Sequence, residues 1–322
     1  MPSYAQTPAA QVAERTYRFT NFSRRNQQIP ESQQTPFNRE MGISLIPIIE
    51  AFARRAFSAA GLRQETIAVD HETSIRCWLP SSLPRSDTQN SIPKPNSSNP
   101  ISNPPLLLIH GFGPAATWQW RSQVRSLARH FDLIVPELVF FGESTTRSPE
   151  RSEKFQAAAM AALLSALGLQ NDGVAAVVGT SYGGFVAYHL ARILGEGRIG
   201  KVVIASSDLG KREEDDVKLM DRAGGVESVT DLMLPRSTAS LRKLIRLAVR
   251  RPPPFMPEFV LRDVLRNLFK DNLELKMELL KGITLGQKDV FQLTPLPQET
   301  WRESKTGNIE EHRAHSSSGR SK

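Results

Sequence analysis

Val177-Val178-Gly179-Thr180-Ser181-Tyr182-Gly183-Gly184 is the stretch on which the reading of this sequence turns. The residues leading into it, Val174–Val178, are an unbroken apolar run, as expected of a strand buried on both faces. The residues leading out, Gly184–Leu194, suit a helix. Ser181 between them, with glycine two residues to either side, has the spacing G-x-S-x-G. A serine that is to act as a nucleophile needs that placement, because its hydroxyl must stand on a sharp turn clear of the sheet. The flanking glycines let backbone approach without a Cβ clash. A helix that starts at the serine turns its positive end toward developing negative charge.

Upstream, Leu106–Ile109 reads as a short strand that ends in His110-Gly111-Phe112-Gly113. This turn brings the N–H of Phe112 toward a bound carbonyl, and the N–H of Tyr182 is its natural partner as a second donor to an oxyanion. His110, Gly111 and Gly113 are expected on the substrate-binding loop, with the imidazole of His110 propping that loop by hydrogen bonding.

Further out, strands and helices alternate. Glu65–Val69 and Ser74–Leu79 read as a hairpin, Thr117–His130 as an amphipathic segment, Asp132–Val135 as a strand and Glu150–Leu167 as a helix. Lys201–Ala205 is a further strand after the Gly184–Leu194 helix. Apolar strands alternating with helices predict a mostly parallel sheet flanked by helices, an α/β fold. Residues 208–291 then read as helices only, a lid over one edge of the sheet. Leu45–Phe57 carries an apolar helical stripe of Leu45, Ile48, Ile49, Phe52, Ala53 and Ala56.

Leu107–Gly113, Gly179–Gly184 and Pro136-Glu137-Leu138-Val139-Phe140-Phe141-Gly142-Glu143-Ser144 together resemble the α/β-hydrolase superfamily, in its capped group of esterases, monoacylglycerol-type lipases and epoxide-hydrolase-like proteins. The last segment is similar to the family's D-x-x-G-x-G-x-S loop, from which Glu137 and Phe140 depart. The resemblance covers about residues 62–291. It implies a serine hydrolase of carboxylic esters or lipid-acyl groups, with a small hydrophobic substrate and no cofactor or metal. Epoxide hydrolases and haloalkane dehalogenases carry Asp at the elbow, where this chain has Ser181.

The family order then calls for an acid and a histidine on loops after later strands. Here the sequence turns polar after Leu296, and His312 and His315 sit in a Ser-rich stretch. The C-terminal strands are expected to be missing, as a truncation or altered reading frame would leave them. Asp208, just after the Lys201–Ser207 strand, is the weak acid candidate. The chain is therefore expected to hydrolyse esters weakly or not at all. A non-catalytic hydrophobic-ligand-binding protein, or a truncated product without activity of its own, is the alternative.

Composition fits one α/β body with polar additions. Apolar residues make up 39% of 322 positions, against about 45–50% in typical globular chains. The deficit lies in three stretches: an N-terminal extension 1–40, a Pro/Ser/Asn-rich insertion 80–105 and a polar tail 292–322. The first and last are expected to be disordered, leaving a core of 41–207 and a lid of 208–291. A targeting role for 1–40 remains the alternative to a plain extension. The single cysteine, Cys77, suits a reducing compartment, so a cytoplasmic location is expected.

Net charge is +8, and its one concentrated source is Arg236–Arg251, six basic residues with no acid. Thr238–Arg250 reads as an amphipathic helix with a basic face. A solvated surface helix is the plain reading and contact with a membrane surface the functional one. Nucleic acid is disfavoured, since no aromatics interleave the basic residues. The lid's Leu232, Met233, Leu234, Leu247, Phe255, Met256, Phe259, Leu265 and Phe269 are candidates to pack together or to line an apolar pocket.

Overall fold

The computed structural model describes residues 44–83, 103–113, 115–169, 173–210, 212–283, 300–303 and 309–312. In chain order the elements begin with α1 (Ile46–Ala59), whose Pro47 is tolerated in the first turn, and the antiparallel pair β1 (Leu62–Ala68) and β2 (Thr73–Pro80). There follow β3 (Pro105–Ile109), the short helices α2 (Ala116–Trp120) and α3 (Val124–Leu127), β4 (Asp132–Pro136) and β5 (Thr145–Thr146). Next come α4 (Glu153–Ala166), β6 (Val174–Thr180), α5 (Tyr182–Leu194) and β7 (Ile199–Ala205). The helical block is α6 (Glu213–Arg222), α7 (Val229–Met233), α8 (Thr238–Ala248), α9 (Glu258–Leu268) and α10 (Leu273–Lys281). It is followed by β8 (Thr300–Glu303) and β9 (Ile309–His312).

The sheet runs β1-β2-β4-β3-β6-β7-β8-β9, with β5 paired to β2. β4, β3, β6, β7 and β8 are parallel, and antiparallel strands stand at either end. The mostly parallel sheet expected from the alternation is therefore present. Strand period 2 explains its two cores. From β3, Leu106 and Leu108 join Phe57, Trp78, Trp120 and Val124 on one face. Leu107 and Ile109 join Met160, Leu163, Val186 and Leu190 on the other. Helices thus cover both faces, and near-continuous apolar strands are the consequence.

Four expectations need correction. The segment Thr117–His130 is two short helices, broken where Gln123 N–H bonds back only three residues to Trp120 O. Of the α1 stripe, only Ala53 is buried; the core takes Ile46, Ala53 and Phe57 instead, leaving Ile48, Ile49 and Phe52 exposed. The tail was expected to hold no strand, yet Thr300–Glu303 lies parallel on β7 and Ile309–His312 antiparallel on β8. Four-residue strands are too short to show period 2; the open edge of β7 supplies the pairing that sequence pattern cannot announce. The ends of the 80–105 insertion also belong to the sheet, since Pro80 closes β2 and Pro105 opens β3. Residues 1–43 and 84–102, and most of the 292–322 tail including His315, lie outside the described residues, with the expectations placed on them.

Candidate active site

Ser181 sits between β6 and α5 with φ 52° and ψ −123°, a conformation that L-residues rarely adopt. Such strain costs about 1–3 kcal/mol and persists only where neighbours enforce it. Here they do. Ser181 N–H donates to Ala205 O at 2.8 Å, and Gly184 N–H donates to Ser181 O at 2.9 Å. The Ser207 hydroxyl donates to Ser181 O at 2.6 Å, with Ala205 O at 3.0 Å. Ser206, beside it, is also left-handed, with φ 52°.

The two glycines of the motif are required by close approach. A Cβ on Gly179 would lie 2.2 Å from Gly183 O, and one on Gly183 would lie 2.5 Å from both His110 O and Ile109 O. These contacts draw the loop after β3 onto the turn after β6. The loop abuts the serine directly: a methyl on Gly111 would stand 2.8 Å from Ser181 Cβ.

Three side chains hold that loop. Gln119 Oε1 accepts Gly111 N–H at 2.6 Å. His110 is fully buried; its Nδ1 lies 2.8 Å from Gly111 O, and its Nε2 accepts Leu138 N–H at 2.9 Å. Nδ1 therefore carries the proton, and both ring nitrogens are engaged within the loop and its neighbour. Burial lowers its pKa to about 4. Glu137 lies 3.5 Å from His110 Nε2 and accepts Ala116 N–H at 2.9 and 3.0 Å, and burial raises its pKa to about 7.

Phe112 and Tyr182 come together, with ring centroids 5.8 Å apart, and Tyr182 opens α5 immediately after Ser181. Neither main-chain N–H has a main-chain partner among the described residues. Gly113 follows in the same loop with φ 152° and nothing within 4 Å of its missing Cβ. Phe140, where the family loop carries glycine, keeps the glycine conformation at φ 73°. Its N–H donates to Ser144 O at 3.2 Å, and Nδ2 of Asn272, the residue before α10, donates to its carbonyl at 3.1 Å. Arg151 lies 4.3 Å from the Phe140 ring centroid.

Among the described side chains, the other titratable groups are not bonded to Ser181. Asp208 is exposed, three residues beyond the end of β7. His189 on α5 is buried with Nε2 3.4 Å from Glu153 Oε1. His312 ends β9 opposite Thr300, which pairs with Val202 and so stands three residues back from the Ala205 end. At about 3.3 Å per residue this is about 10 Å from the edge that carries Ser181. Glu303, opposite Ala205, is at that edge. Gln119 and Ser207 are the site residues that sequence reasoning missed, because single side chains reaching a distant backbone leave no periodic signal.

The family profile described as "alpha/beta hydrolase fold" matches residues 104–264, half of the chain. A soluble epoxide hydrolase of Corynebacterium sp. (strain C12) is 33% identical over 87 residues, 27% of this chain and 29% of that protein. An uncharacterised protein of Mycobacterium tuberculosis is 37% identical over 90 residues, 28% of this chain and 25% of its own length. The matches thus span less than a third of either relative.

Among solved structures, a membrane phospholipase A described as a bacterial virulence factor superposes with TM-score 0.54 at 18% identity, covering 74% of this chain and 68% of that one. The 2-hydroxy-6-oxo-6-phenylhexa-2,4-dienoate hydrolase of Rhodococcus sp. strain RHA1 gives 0.54 at 19%, covering 75% and 80%. At that identity the likeness concerns the fold.

Proposed function

Because this chain belongs to the alpha/beta hydrolase fold family, we propose that it is a serine hydrolase of carboxylic esters or lipid-acyl groups, with Ser181 as nucleophile. The observation that carries this reading is the strained Ser181 at the strand–helix junction, abutted by the Gly111–Gly113 loop. Attack of Ser181 Oγ on an acyl carbon would place the new oxyanion toward the N–H groups of Phe112 and Tyr182, at the N-terminus of the 13-residue helix α5. Collapse of the oxyanion would break the ester C–O bond, the alkoxide leaving as the alcohol with the serine proton passed through solvent. Water would then cleave the acyl-serine to the acid and free Ser181. The epoxide-hydrolase likeness favours this site less, because that chemistry uses an Asp carboxylate where this chain has Ser181.

Among the described side chains no imidazole is bonded to Ser181 Oγ; His110 has both nitrogens engaged and His189 faces Glu153. Weak turnover is therefore expected, near the ~10³–10⁴-fold over water that an oxyanion hole and binding supply alone. That same observation favours a second reading, a hydrophobic-ligand-binding protein without catalysis. A p-nitrophenyl ester assay together with fluorophosphonate labelling separates them. Slow hydrolysis abolished by Ser181→Ala supports the hydrolase. Absence of both turnover and label supports the binding protein. Turnover near ~10 s⁻¹ that is lost in Ser181→Ala would show a complete relay and overturn the expectation of weak activity.

A further inference from the structure

The proposed chemistry leaves two surface features unused, on helices tied to one another through Asp263. The first is α1, whose exposed side carries Ile48, Ile49 and Phe52, the last 69% exposed. The second is the end of α8 and the connection to α9, where Leu247, Val249 and Phe255 are exposed among Arg246, Arg250 and Arg251. Phe255 and Phe259, candidates for a pocket lining in the sequence, are instead 77% and 59% exposed.

Local geometry joins these groups. Arg242 and Arg246 of α8 wall a shallow hollow of about 170 Å³ together with Pro252–Pro254 and Met256, so the basic face of α8 lies against the proline turn. Arg242 also donates to Met256 O at 2.9 Å and to Glu258 at 3.0 Å, which neutralises the acid nearest the patch. On α9, one turn beyond Phe259, the Asp263 carboxylate accepts the N–H groups of Leu45 and Ile46 at 2.7 and 2.9 Å. That bond fixes the start of α1 beside α9, the helix that carries Phe259.

Single exposed apolar residues need no explanation, but a run of aromatic and aliphatic tips among exposed guanidinium groups does. We propose that the α8–α9 turn, with the exposed side of α1, docks this protein on an anionic phospholipid surface. Guanidinium groups bind lipid phosphates bidentately, and aromatic rings sit well at headgroup depth. A second copy of the chain fits poorly, because a two-fold contact here would set Arg246, Arg250 and Arg251 against their own copies. Nucleic acid offers nothing to Ile48, Leu247 and Val249. Among the described residues no helix is long and apolar enough to cross a membrane, so the contact is interfacial.

The test is flotation of the full chain with vesicles of phosphatidylcholine alone and of phosphatidylcholine with phosphatidylserine. Binding to the mixed vesicles, weakened by salt, is expected. Each arginine near such a surface is worth about fivefold in partition, so Arg250→Ala/Arg251→Ala should weaken binding about 25-fold. Phe255→Ser/Phe259→Ser should weaken it further, with the thermal midpoint unchanged because these rings are exposed. Equal binding by wild type and variants, or none to mixed vesicles, overturns the proposal. So does concentration-dependent dimerisation, or oligonucleotide binding, lost in these variants while vesicles are ignored.

Discussion

Replacing Glu137 with glutamine should change how the stability of this protein depends on pH. The Glu137 carboxyl is buried against Ala116 N–H and His110, and burial lifts its pKa from 4.5 to about 7. His110 moves the other way, from 6.5 to about 4, again through burial. Each displacement is worth about 3 kcal/mol. Glu137 binds its proton more tightly in the folded chain, so its contribution is present below pH 4.5 and lost as pH rises toward 7. His110 excludes a proton that the unfolded chain binds, so its contribution is present above pH 6.5 and lost as pH falls toward 4. The two slopes are opposite and nearly equal, so wild-type stability should be close to level between them.

Glutamine removes one slope and leaves the other. The variant should gain about 3 kcal/mol from pH 4 to 6.5, and wild type minus variant should fall by about 3 kcal/mol from pH 4.5 to 7. Its carbonyl can still accept Ala116 N–H, so any other loss is a constant offset of about 1 kcal/mol. Urea unfolding at closely spaced pH values, followed by tryptophan fluorescence, gives both profiles. Carboxylates such as Asp263 and Asp70, whose pKa values are lowered, contribute equally to each and cancel. Parallel profiles would refute the argument, because they would mean that Glu137 titrates as freely in the fold as outside it.

Gly183→Ala puts a methyl 2.5 Å from two backbone carbonyls that cannot step aside, and should cost more than about 3 kcal/mol in a thermal or urea melt. Phe140→Gly relieves about 1–2 kcal/mol of left-handed strain but gives up a buried ring worth about 3–5 kcal/mol and its Arg151 contact. A net loss of about 2–3 kcal/mol is expected, and a gain in urea midpoint would contradict it. Asp263→Ala strips the bonds to Leu45 and Ile46 N–H, and that of Ser44 Oγ, and should cost about 1–2 kcal/mol at pH 7. Faster amide exchange in the first turn of α1 is the local readout. Hydrogen bonds outweigh burial in keeping the Asp263 pKa low, so this contribution is present above pH 3.8 and lost on acidification.

The parts of the site that were legible in sequence are those where chemistry constrains the backbone at fixed spacing. Ser181 with Gly179 and Gly183, and the His110–Gly113 turn, are local patterns, and alternating apolar runs placed them at the ends of adjacent strands β6 and β3. Contacts between distant residues left no such trace: Gln119 on Gly111, Ser207 on Ser181, Asn272 on Phe140. The α1 stripe misled for a different reason. That helix has apolar residues on two sides, and periodicity reveals their spacing without saying which side the core covers. β8 and β9 depend on the edge of β7, a partner far away in the chain.

The residue at position 181 can itself be asked whether it serves the fold or the chemistry. A turn at φ 52° and ψ −123° suits glycine, and nothing in the packing asks for a side chain on the half-buried Ser181. If the serine is kept for reaction, the fold bears its strain. Ser181→Gly should then be more stable than Ser181→Ala by about 1 kcal/mol, the left-handed penalty of about 1–2 kcal/mol less the greater entropy of an unfolded glycine. Both variants lose the hydroxyl, so both should lose fluorophosphonate labelling, and only the melting comparison separates strain from chemistry. A glycine variant less stable than the alanine one would show that the turn is comfortable with a Cβ. The strained geometry would then no longer argue that Ser181 is there to react.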